Sequence, residues 1–475
     1  MNNKFYITTT LPYVNAEPHI GFGLEIVEAD IIARYQATLG KEVIFNTGTD
    51  EHGQKIYQKA IELNQDPVEY CNEYASKFER LKKILNLSYT NFIRTTNPDH
   101  QKAAQEFWRR AENSGDIYKA KYQVKYCVGC ELEKTESELV DGKCPFHPNL
   151  ELEQRDEENY FFRFSKYQQP LLNFFKDNPE FVKPKSKMNE AIAFVEGGLN
   201  DFSISRLKTK MPWGVPVPGD DEHVMYVWFD ALVNYISTLG WPNDLQKFQE
   251  FWPGVQVAGK DNLRQQAVMW QAMLMSANLS PSRQILINGF ISIGGQKMSK
   301  SLGNVISPEE MVTKYGTDAT RFLLISLGTF NEDMDVTWER LDEEYTANLA
   351  NGIGNLCSRV AKMAADSNLI YEVSQTQQQN QEISEEYHQL MKDYELSKAL
   401  NIIVDLIKQT DLFLSQNEPW KKEGEEKTKI LFSAIDKIRL IGDLLLPFTP
   451  KLSSKIFESF TGTINPLTPF FPRLN

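Results

Sequence analysis

The stretch FYITTTLPYVNAEPHIGFGLEIVEADIIARYQATLGKEVIFNTGTDEHG, residues 5–53, contains the order of elements that decides the fold. Its first six residues are β-branched or aromatic, which predicts a buried strand. From Gly21 the apolar residues recur at helical spacing as far as Gly40, a residue type that commonly ends a helix. The segment KEVIFNTGTDEHG predicts a second strand ending in a polar loop. A strand, a helix and a strand at this spacing form a βαβ unit, so we predict a parallel sheet with a right-handed crossover.

Two polar loops, residues 11–21 and 47–54, follow the two predicted strands. Ligands of such sheets bind beyond the carboxyl ends of the strands, so we expect the loops to carry a site. The strand and helix alternation is interrupted by short aromatic and charged runs and then returns. We therefore predict an α/β protein whose Rossmann-like parallel sheet is split by an inserted module and followed by an all-α helical domain. The predicted segments are 1–115 and 223–290 for the two halves of the sheet domain, 116–222 for the insertion, 291–345 for a loop region and 346–475 for the helical domain.

Composition sets outer limits on the class of protein. The 475 residues are 41% hydrophobic and 24% charged, which is ordinary for a globular protein of about two to four domains. No run approaches the roughly 18 apolar residues of a membrane helix, and the N-terminus lacks a signal-peptide pattern, so we predict a cytoplasmic protein with no membrane partner. The net charge of −13 argues weakly against a nucleic-acid partner without excluding one.

Three of the five cysteines lie in a short segment of the insertion, at about residues 120–150, and form a metal-ligand pattern with a histidine. Cys127, Cys130, Cys144 and His147 follow the spacing C-x2-C-x13-C-x2-H, which lets two close pairs reach one tetrahedral ion. With all four positions filled by protein, the ion would be structural. Thiolate and imidazole ligands favour zinc without excluding iron. The alternative is a reduced, metal-free loop, although so small a module would lack a core to keep it ordered.

A turn and a loop point to a phosphate group. The N-terminus of a helix beyond a parallel strand binds anions, and His19 with Gly21 stands at that position. The loop GGQKMSKSLGN, residues 294–304, carries two lysines that suit a migrating pyrophosphate. Taken singly, the histidine would more often have a structural role, and the lysines would more often belong to a solvated loop. We predict that the two segments converge across the sheet on one triphosphate.

Together these motifs resemble the two signatures of the class I aminoacyl-tRNA synthetases, and within that class the methionyl-tRNA synthetase family. The segments that carry the resemblance, in the order and spacing of that family, are LPYVNAEPHIG, TGTDEHG, YCVGCE with CPFH, GLNDFSISR, YVWFDALVNY, GKD, KMSKSLGNV and GNLCSR. The resemblance covers essentially the whole chain. It implies a methionine–tRNA ligase that activates methionine with ATP and Mg to methionyl-adenylate and pyrophosphate, and then transfers it to tRNA(Met), including the initiator. No appended C-terminal module is visible, so we predict a monomer.

The resemblance also implies roles for individual residues. Catalysis would rest on His19, Lys297 and Lys300. ATP would be bound by His19, Gly21, Phe22, Lys297, Ser299 and Lys300. Methionine would be bound by Leu11, Tyr13, Asp50, Trp228, Ala231, Tyr235, Asn262 and Gln266, with Asp50 accepting the α-ammonium group. The region 291–345 would hold the KMSKS loop and contact the tRNA stem, and Asn355, Arg359 and Trp420 in the helical domain would read the anticodon.

Three positions depart from the family pattern. Phe22 stands where a second histidine is expected, and loss of one phosphate donor typically costs about 10²–10³ in rate. Asn262 and Gln266 place polar groups where the family has an aliphatic residue and a histidine. Two alternatives therefore stay open: a ligase of the same fold with altered amino-acid specificity, and a non-catalytic relative that binds RNA or an amino acid. Methionine-dependent ATP–pyrophosphate exchange separates the three.

Overall fold

The computed structural model describes residues 3–130, 132–134, 139–297, 305–328, 332–372 and 381–474. The chain divides into two units. The first comprises Met1–Glu17, Glu42–Arg80 and Tyr89–Ile287, and the second comprises Pro18–Lys41, Leu81–Ser88 and Asn288–Asn475. The first unit thus contains the sheet and the metal-ligand pattern. The domain boundaries derived from sequence stay predictions.

A parallel sheet of six described strands forms the centre of the first unit. In chain order the strands are β1 (Lys4–Thr8), β2 (Glu42–Thr49), β3 (Asn91–Arg94), β4 (Val182–Lys183), β5 (Val255–Gly259) and β6 (Gln284–Asn288). Their order across the sheet is β3-β2-β1-β5-β6-β4. β1 pairs in parallel with β2 on one side and with β5 on the other. The predicted α/β class with a split parallel sheet is confirmed, since β1 and β5 are neighbours although about 250 residues of sequence separate them.

The central strands are covered on both faces, and one position admits no side chain at all. Residues of β1 after Lys4 are buried, as are the last six of β2. A Cβ atom at Gly48 would lie 1.8 Å from the carbonyl oxygen of Ile93 on β3. Gly48 is therefore needed to let β2 and β3 approach just before the loop that begins at Asp50.

The remaining elements of residues 42–287 surround this sheet or form the insertion. A four-stranded sheet takes the order Leu132–Lys134, Ile117–Cys127, Glu153–Phe162 and Phe202–Ser203, and a three-stranded sheet the order Pro216–Val217, Asp220–Met225 and Ser205–Leu207. The α-helices are Gln54–Glu62, Pro67–Ile84, Pro98–Asn113, Gln168–Asp177, Lys185–Glu196, Val227–Ala231, Asn234–Ser237, Leu245–Phe251 and Trp270–Ser276. Shorter helical turns are Phe164–Tyr167 and Lys260–Asn262, and a π-helix spans Gln265–Met269.

The second unit is mainly helical. Its α-helices are Ile20–Thr38, Pro308–Tyr315, Thr317–Ser326, Trp338–Glu344, Asn355–Asp366, Gln381–Lys392, Leu396–Asn417, Gly424–Leu445 and Pro450–Ser459, with a π-helix at Tyr345–Gly354 and a 3₁₀ turn at Pro419–Lys421. Its strands are Ile291–Ile293 with Gln296–Lys297 and Met334–Asp335, and Ile370–Tyr371 with Gly462–Thr463. The prediction of a helical C-terminal region is confirmed. None of the helices in the described ranges combines the length and the apolar character that crossing a membrane requires.

A buried arginine joins the first helix of this unit, Ile20–Thr38, to its last helices. Arg321 pairs with Asp30 at 2.8 Å, and both side chains are fully buried. Its remaining N–H groups donate to the carbonyl oxygens of Leu85, Pro447 and Phe448 at 2.7–3.1 Å. A buried charge is tolerated when it is paired and its donors are satisfied, and both conditions hold for Arg321.

Candidate active site and candidate metal centre

Asp50 lies at the carboxyl end of β2, beside the loop that follows β1. Its backbone N–H donates to the carbonyl of Pro12 at 3.0 Å, and its carbonyl accepts from the N–H of Val14 at 3.3 Å. Tyr13 and Asp50 therefore form an isolated parallel bridge. The Asp50 side chain is buried, and its Oδ1 accepts from the backbone N–H of His52 at 3.4 Å. The two polar loops predicted from sequence thus meet at the edge of the sheet where ligands bind.

Aromatic side chains stand beside this carboxylate. The rings of Tyr13 and Trp228 meet edge to face, with centroids 6.1 Å apart. Trp228 lies in the first of two short helices, Val227–Ala231 and Asn234–Ser237, which also carry Ala231 and Tyr235, both buried. The indole Nε1 of Trp228 is buried, and within the described part of the chain no group accepts its proton. A buried carboxylate, an aromatic pair and an unused indole donor make this a candidate amino-acid site.

The two polar departures have different surroundings. Asn262 is half-buried, and its Nδ2 donates to Oδ1 of the adjacent Asp261 at 3.2 Å. Gln266 is fully buried, and its Nε2 donates to the hydroxyl of Tyr235 at 2.6 Å. Asn262 therefore takes a local partner, whereas Gln266 is tied directly to a predicted pocket residue. Leu11, two residues before Tyr13, is half-buried.

A buried cluster next to Asp50 was not expected from the sequence. Asp230 Oδ2 is 2.6 Å from Nδ1 of His52, and its Oδ1 is 2.8 Å from Nε2 of His100. The other nitrogen of His100 is 2.9 Å from Oγ of Ser237. His52 was visible in the motif TGTDEHG, but its partner Asp230 lies 178 residues further along the chain. The cluster fixes the loop after β2 against the helix that carries Trp228.

The lowered pKa of Asp230 predicts that the protein loses stability in acid. Burial alone raises the pKa of Asp230, but the charge of His52 and the hydrogen bonds from His100 and His52 outweigh it and lower the pKa to about 2. A pKa below the unfolded value stabilises the fold above about pH 4, and this contribution disappears as the pH falls toward 2. We expect Asp230→Asn to lower the free energy of unfolding by about 2–3 kcal/mol at pH 7. Urea unfolding at pH 7 and pH 3 measures this free energy, and the difference between variant and wild type should be smaller at pH 3. The control Asp177→Asn, at an exposed position, should leave the free energy of unfolding unchanged at both pH values. A difference between Asp230→Asn and wild type that does not vary with pH would contradict the argument.

The first helix begins at the histidine predicted to contact phosphate. His19 is the N-cap residue, and its Nδ1 accepts from the backbone N–H of Gly21 at 3.0 Å. The backbone N–H of Ile20 donates to the carbonyl of Ile306 at 3.0 Å, and a Cβ at Gly23 would lie 3.2 Å from the ring of Pro308. The helix N-terminus thus lies directly beside the chain that follows the KMSKS segment.

The predicted phosphate residues are only partly within the described structure. Phe22 is buried in the first turn of the helix. The backbone of Lys297 forms a two-residue strand with Gln296, and its side chain lies outside the described atoms. Ser299 and Lys300 lie outside the described residues. The convergence of the histidine and the lysines on one triphosphate stays a prediction.

The cysteine and histidine pattern closes into one cluster in the insertion. The ligand atoms of Cys127, Cys130, Cys144 and His147 all lie within 4.8 Å of one another. Sγ of Cys130 is 3.4 Å from Sγ of Cys144 and 3.2 Å from Nδ1 of His147. A tetrahedral zinc ion with its usual bond lengths holds such atoms roughly 3.3–3.8 Å apart, so the cluster has the donor types and about the size that zinc requires. A Cβ at Gly129 would lie 2.4 Å from the ring of His147, so the turn between the first two cysteines requires glycine.

Lys55 connects the cluster to the candidate amino-acid site. Its Nζ donates to the carbonyl of Gly129, inside the CVGC turn. The same Nζ lies 5.8 Å from the centroid of the Tyr13 ring. The Lys55 side chain therefore contacts both the CVGC turn and the loop that bears Tyr13. No pattern in the sequence indicated this connection.

The predicted anticodon residues occupy the helical region. Asn355 and Arg359 lie one turn apart on the helix Asn355–Asp366. The Arg359 guanidinium pairs with Asp411 at 2.5 Å and lies 5.9 Å from the centroid of the Trp420 ring. Trp420 is 48% exposed, unusually high for tryptophan, so about half of its surface is accessible to a partner.

Comparisons with known proteins find relatives along almost the whole chain. The family described as tRNA synthetases class I (M) matches residues 5–151 and 149–361. A methionine–tRNA ligase of Thermotoga maritima is 40% identical over 472 aligned residues, which cover 96% of this chain and 75% of that protein. The ligase of Thermosynechococcus vestitus is 40% identical over 492 aligned residues, covering 98% and 93%. Methionyl-tRNA synthetase of Mycobacterium tuberculosis, solved in complex with methionyl-adenylate, superposes with a TM-score of 0.92 at 33% identity, covering 99% of this chain and all of that one.

Proposed function

The chain belongs to the methionine–tRNA ligase family of class I tRNA synthetases, and from this premise we propose which residues carry each step. The chain joins methionine to tRNA in an ATP-dependent reaction. The comparisons support methionine as the amino acid, rather than an altered specificity. In the first step the methionine carboxylate attacks the α-phosphorus of ATP, the bond to the β-phosphate bridging oxygen breaks, and pyrophosphate leaves. In the second step the tRNA 3′-terminal ribose hydroxyl attacks the acyl carbon, and AMP leaves.

Asp50 binds the α-ammonium group of methionine, and Tyr13, Trp228, Ala231 and Tyr235 surround its side chain. The observation that supports this assignment most is the bridge between Asp50 and Tyr13, which places a buried carboxylate beside an aromatic pair. A carboxylate and an ammonium group form a strong charge-assisted hydrogen bond. Aromatic rings suit a polarizable thioether.

His19, Lys297 and Lys300 stabilise the triphosphate during the first step. His19 accepts the Gly21 N–H at Nδ1, so the neutral imidazole carries its proton on Nε2 and can donate it to a phosphate oxygen. The two lysines neutralise the charge that develops on the departing pyrophosphate. Mg bound to the triphosphate supplies further positive charge.

Zinc stabilises the fold of the insertion, and the helical region reads the tRNA. Four filled positions leave no place for a substrate at the metal, so its role is structural. Trp420 offers a stacking face, while Asn355 and Arg359 offer hydrogen bonds to unstacked anticodon bases of tRNA(Met).

Methionine-dependent exchange of pyrophosphate into ATP tests the assignment of Asp50. We expect robust exchange by the wild type and a loss of about 10–100-fold in kcat/KM for methionine in Asp50→Asn, because the ammonium group loses its charged partner. Asp99→Asn, at an exposed position, should match the wild type. An Asp50→Asn enzyme with unchanged kcat/KM would contradict the role of Asp50, and absent exchange by the wild type would contradict the function itself.

A further inference from the structure

Three consecutive ionisable residues are buried directly after β2. Asp50, Glu51 and His52 are 2%, 0% and 3% exposed. Burial of a charged group is costly unless the group is paired and hydrogen-bonded, so such residues seldom follow one another inside a protein. The proposed function uses Asp50, at the α-ammonium group of methionine, and assigns no role to its two buried neighbours.

Glu51 ties this segment to the end of β3. Its Oε1 accepts from Nε of Arg94 at 2.6 Å, and its Oε2 accepts from Nη2 of the same guanidinium at 3.0 Å. Its backbone N–H donates to Oγ1 of Thr95 at 2.9 Å, and its carbonyl accepts from Nε1 of Trp213 at 2.6 Å. Glu51 therefore holds the backbone next to Asp50 against β3.

His52 ties the same segment to the helix Val227–Ala231. Its Nδ1 lies 2.6 Å from Oδ2 of Asp230. The pKa of Asp230 is about 2, so at neutral pH its carboxylate can only accept, and Nδ1 of His52 carries the proton that is donated. The backbone N–H of His52 donates to Oδ1 of Asp50 at 3.4 Å. His52 thus contacts the Asp50 carboxylate through its backbone and Asp230 through its side chain.

Asp230 is itself held in place by a second histidine. Nε2 of His100 lies 2.8 Å from Oδ1 of Asp230, and Nδ1 of His100 lies 2.9 Å from Oγ of Ser237. The helix that carries Asp230 and Trp228 therefore stays attached to the helix Pro98–Asn113 when the bond from His52 is removed. Loss of the His52 side chain should for this reason disturb Asp50 and leave Trp228 in place.

We propose that His52 is a positioning residue which, through its bond to Asp230, holds the Asp50 carboxylate in the orientation that receives the α-ammonium group of the substrate. This inference rests on the proposed function, which assigns the ammonium group to Asp50. A charge-assisted hydrogen bond depends on distance and direction, and a carboxylate that is fixed before binding spares the substrate the cost of ordering it. The loss caused by a change at His52 is therefore confined to ligands that carry an ammonium group.

Two analogues of methionine separate the ammonium site from the rest of the pocket. Methioninol keeps the ammonium group and lacks the carboxylate, whereas the α-hydroxy analogue of methionine keeps the carboxylate and lacks the ammonium group. Both keep the thioether side chain. Calorimetric titration of each analogue into the full chain gives two dissociation constants for every variant. Asp50→Asn should weaken the binding of methioninol by about 10–100-fold and should not weaken that of the hydroxy analogue.

Substitutions of His52 test its role directly. His52→Leu removes the donor to Asp230 at similar size, and should weaken methioninol about threefold to tenfold without weakening the hydroxy analogue. His52→Asn carries an N–H at about the position of Nδ1, and should bind both analogues as the wild type does. The amide of His52→Gln lies farther from the backbone, so this variant should show the same selective loss and serves if His52→Leu does not fold. The control Gln169→Leu, at an exposed position, should change neither constant.

A double-mutant cycle identifies the route of the effect. In the Asp50→Asn background, His52→Leu should weaken methioninol no further, because no carboxylate is left to orient. The proposal would be overturned by equal weakening of the two analogues in the His52 variants, by unchanged binding of methioninol in them, or by a loss that persists in the Asp50→Asn background. Unchanged binding of methioninol by Asp50→Asn would instead overturn the proposed role of Asp50, and this inference with it.

Discussion

We expect His19→Asn to lower methionine-dependent pyrophosphate exchange by about 10²–10³-fold while leaving the stability of the protein almost unchanged. Nδ1 of His19 caps the first helix by accepting the N–H of Gly21. The oxygen of an asparagine side chain is a good N-cap acceptor and can take over this bond. Its amide nitrogen, however, does not reach as far from the backbone as Nε2 of the imidazole. The variant therefore keeps the hydrogen bond that caps the helix and loses the donor assigned to the phosphate.

The complementary variant, His19→Gln, makes the comparison quantitative. Its longer side chain carries an N–H to about the position of Nε2 and sacrifices the cap. We expect its exchange activity to exceed that of His19→Asn, and its free energy of unfolding to fall by about 0.5–2 kcal/mol. Pyrophosphate exchange and urea unfolding on the same preparations give both values. Equal activity in the two variants, or a loss that tracks stability, would mean that His19 only caps the helix.

Replacement of one candidate metal ligand should have a large effect on the zinc content and on the fold of the insertion. We expect Cys144→Ser to reduce the bound zinc from one ion per chain to a small fraction, because structural zinc contributes about 10–16 kcal/mol of apparent binding free energy that three ligands cannot supply. The insertion should then lose its ordered fold and become sensitive to protease between residues 117 and 162. Metal analysis and limited proteolysis measure the two effects. A chelator applied to the wild type should reproduce both.

Cys357→Ser is the matched control for this substitution. Cys357 is fully buried in the helix Asn355–Asp366, and burial raises the pKa of its thiol, so it stays protonated and binds no metal. Its replacement should leave one zinc ion per chain. Because Lys55 joins Gly129 to the Tyr13 ring, we also expect metal loss to raise the KM for methionine. Full zinc content in Cys144→Ser, or zinc loss in the control, would contradict the assignment of the ligands.

Local patterns in the sequence predicted the elements at which the site begins. The strand predicted at residues 5–10 is β1, and the helix predicted from Gly21 to Gly40 spans Ile20–Thr38. Both follow from short-range periodicity, which reports the environment of neighbouring residues. The four residues of the candidate metal centre were also visible, since two close pairs at that spacing carry their chemistry in the sequence itself.

The supporting contacts were not visible, because their partners are distant in the sequence. Asp230 and His52 are 178 residues apart, and nothing near either one indicates the other. In the sequence, Asn262 and Gln266 were equivalent, as two polar residues predicted in an apolar pocket. Only the fold shows that Asn262 donates to the adjacent Asp261, whereas Gln266 donates to Tyr235.

Arg321 has a consequence for how the chain is made on the ribosome. Its partners are Asp30, which is synthesised among the first residues, and the carbonyls of Pro447 and Phe448, which emerge among the last. Synthesis proceeds at roughly 5–20 residues per second. The groups that enclose the helix Ile20–Thr38 are therefore synthesised tens of seconds after the helix itself. We expect nascent chains truncated before residue 447 to leave this helix open to protease, while the six-stranded sheet, whose strands lie within residues 4–288, is already protected.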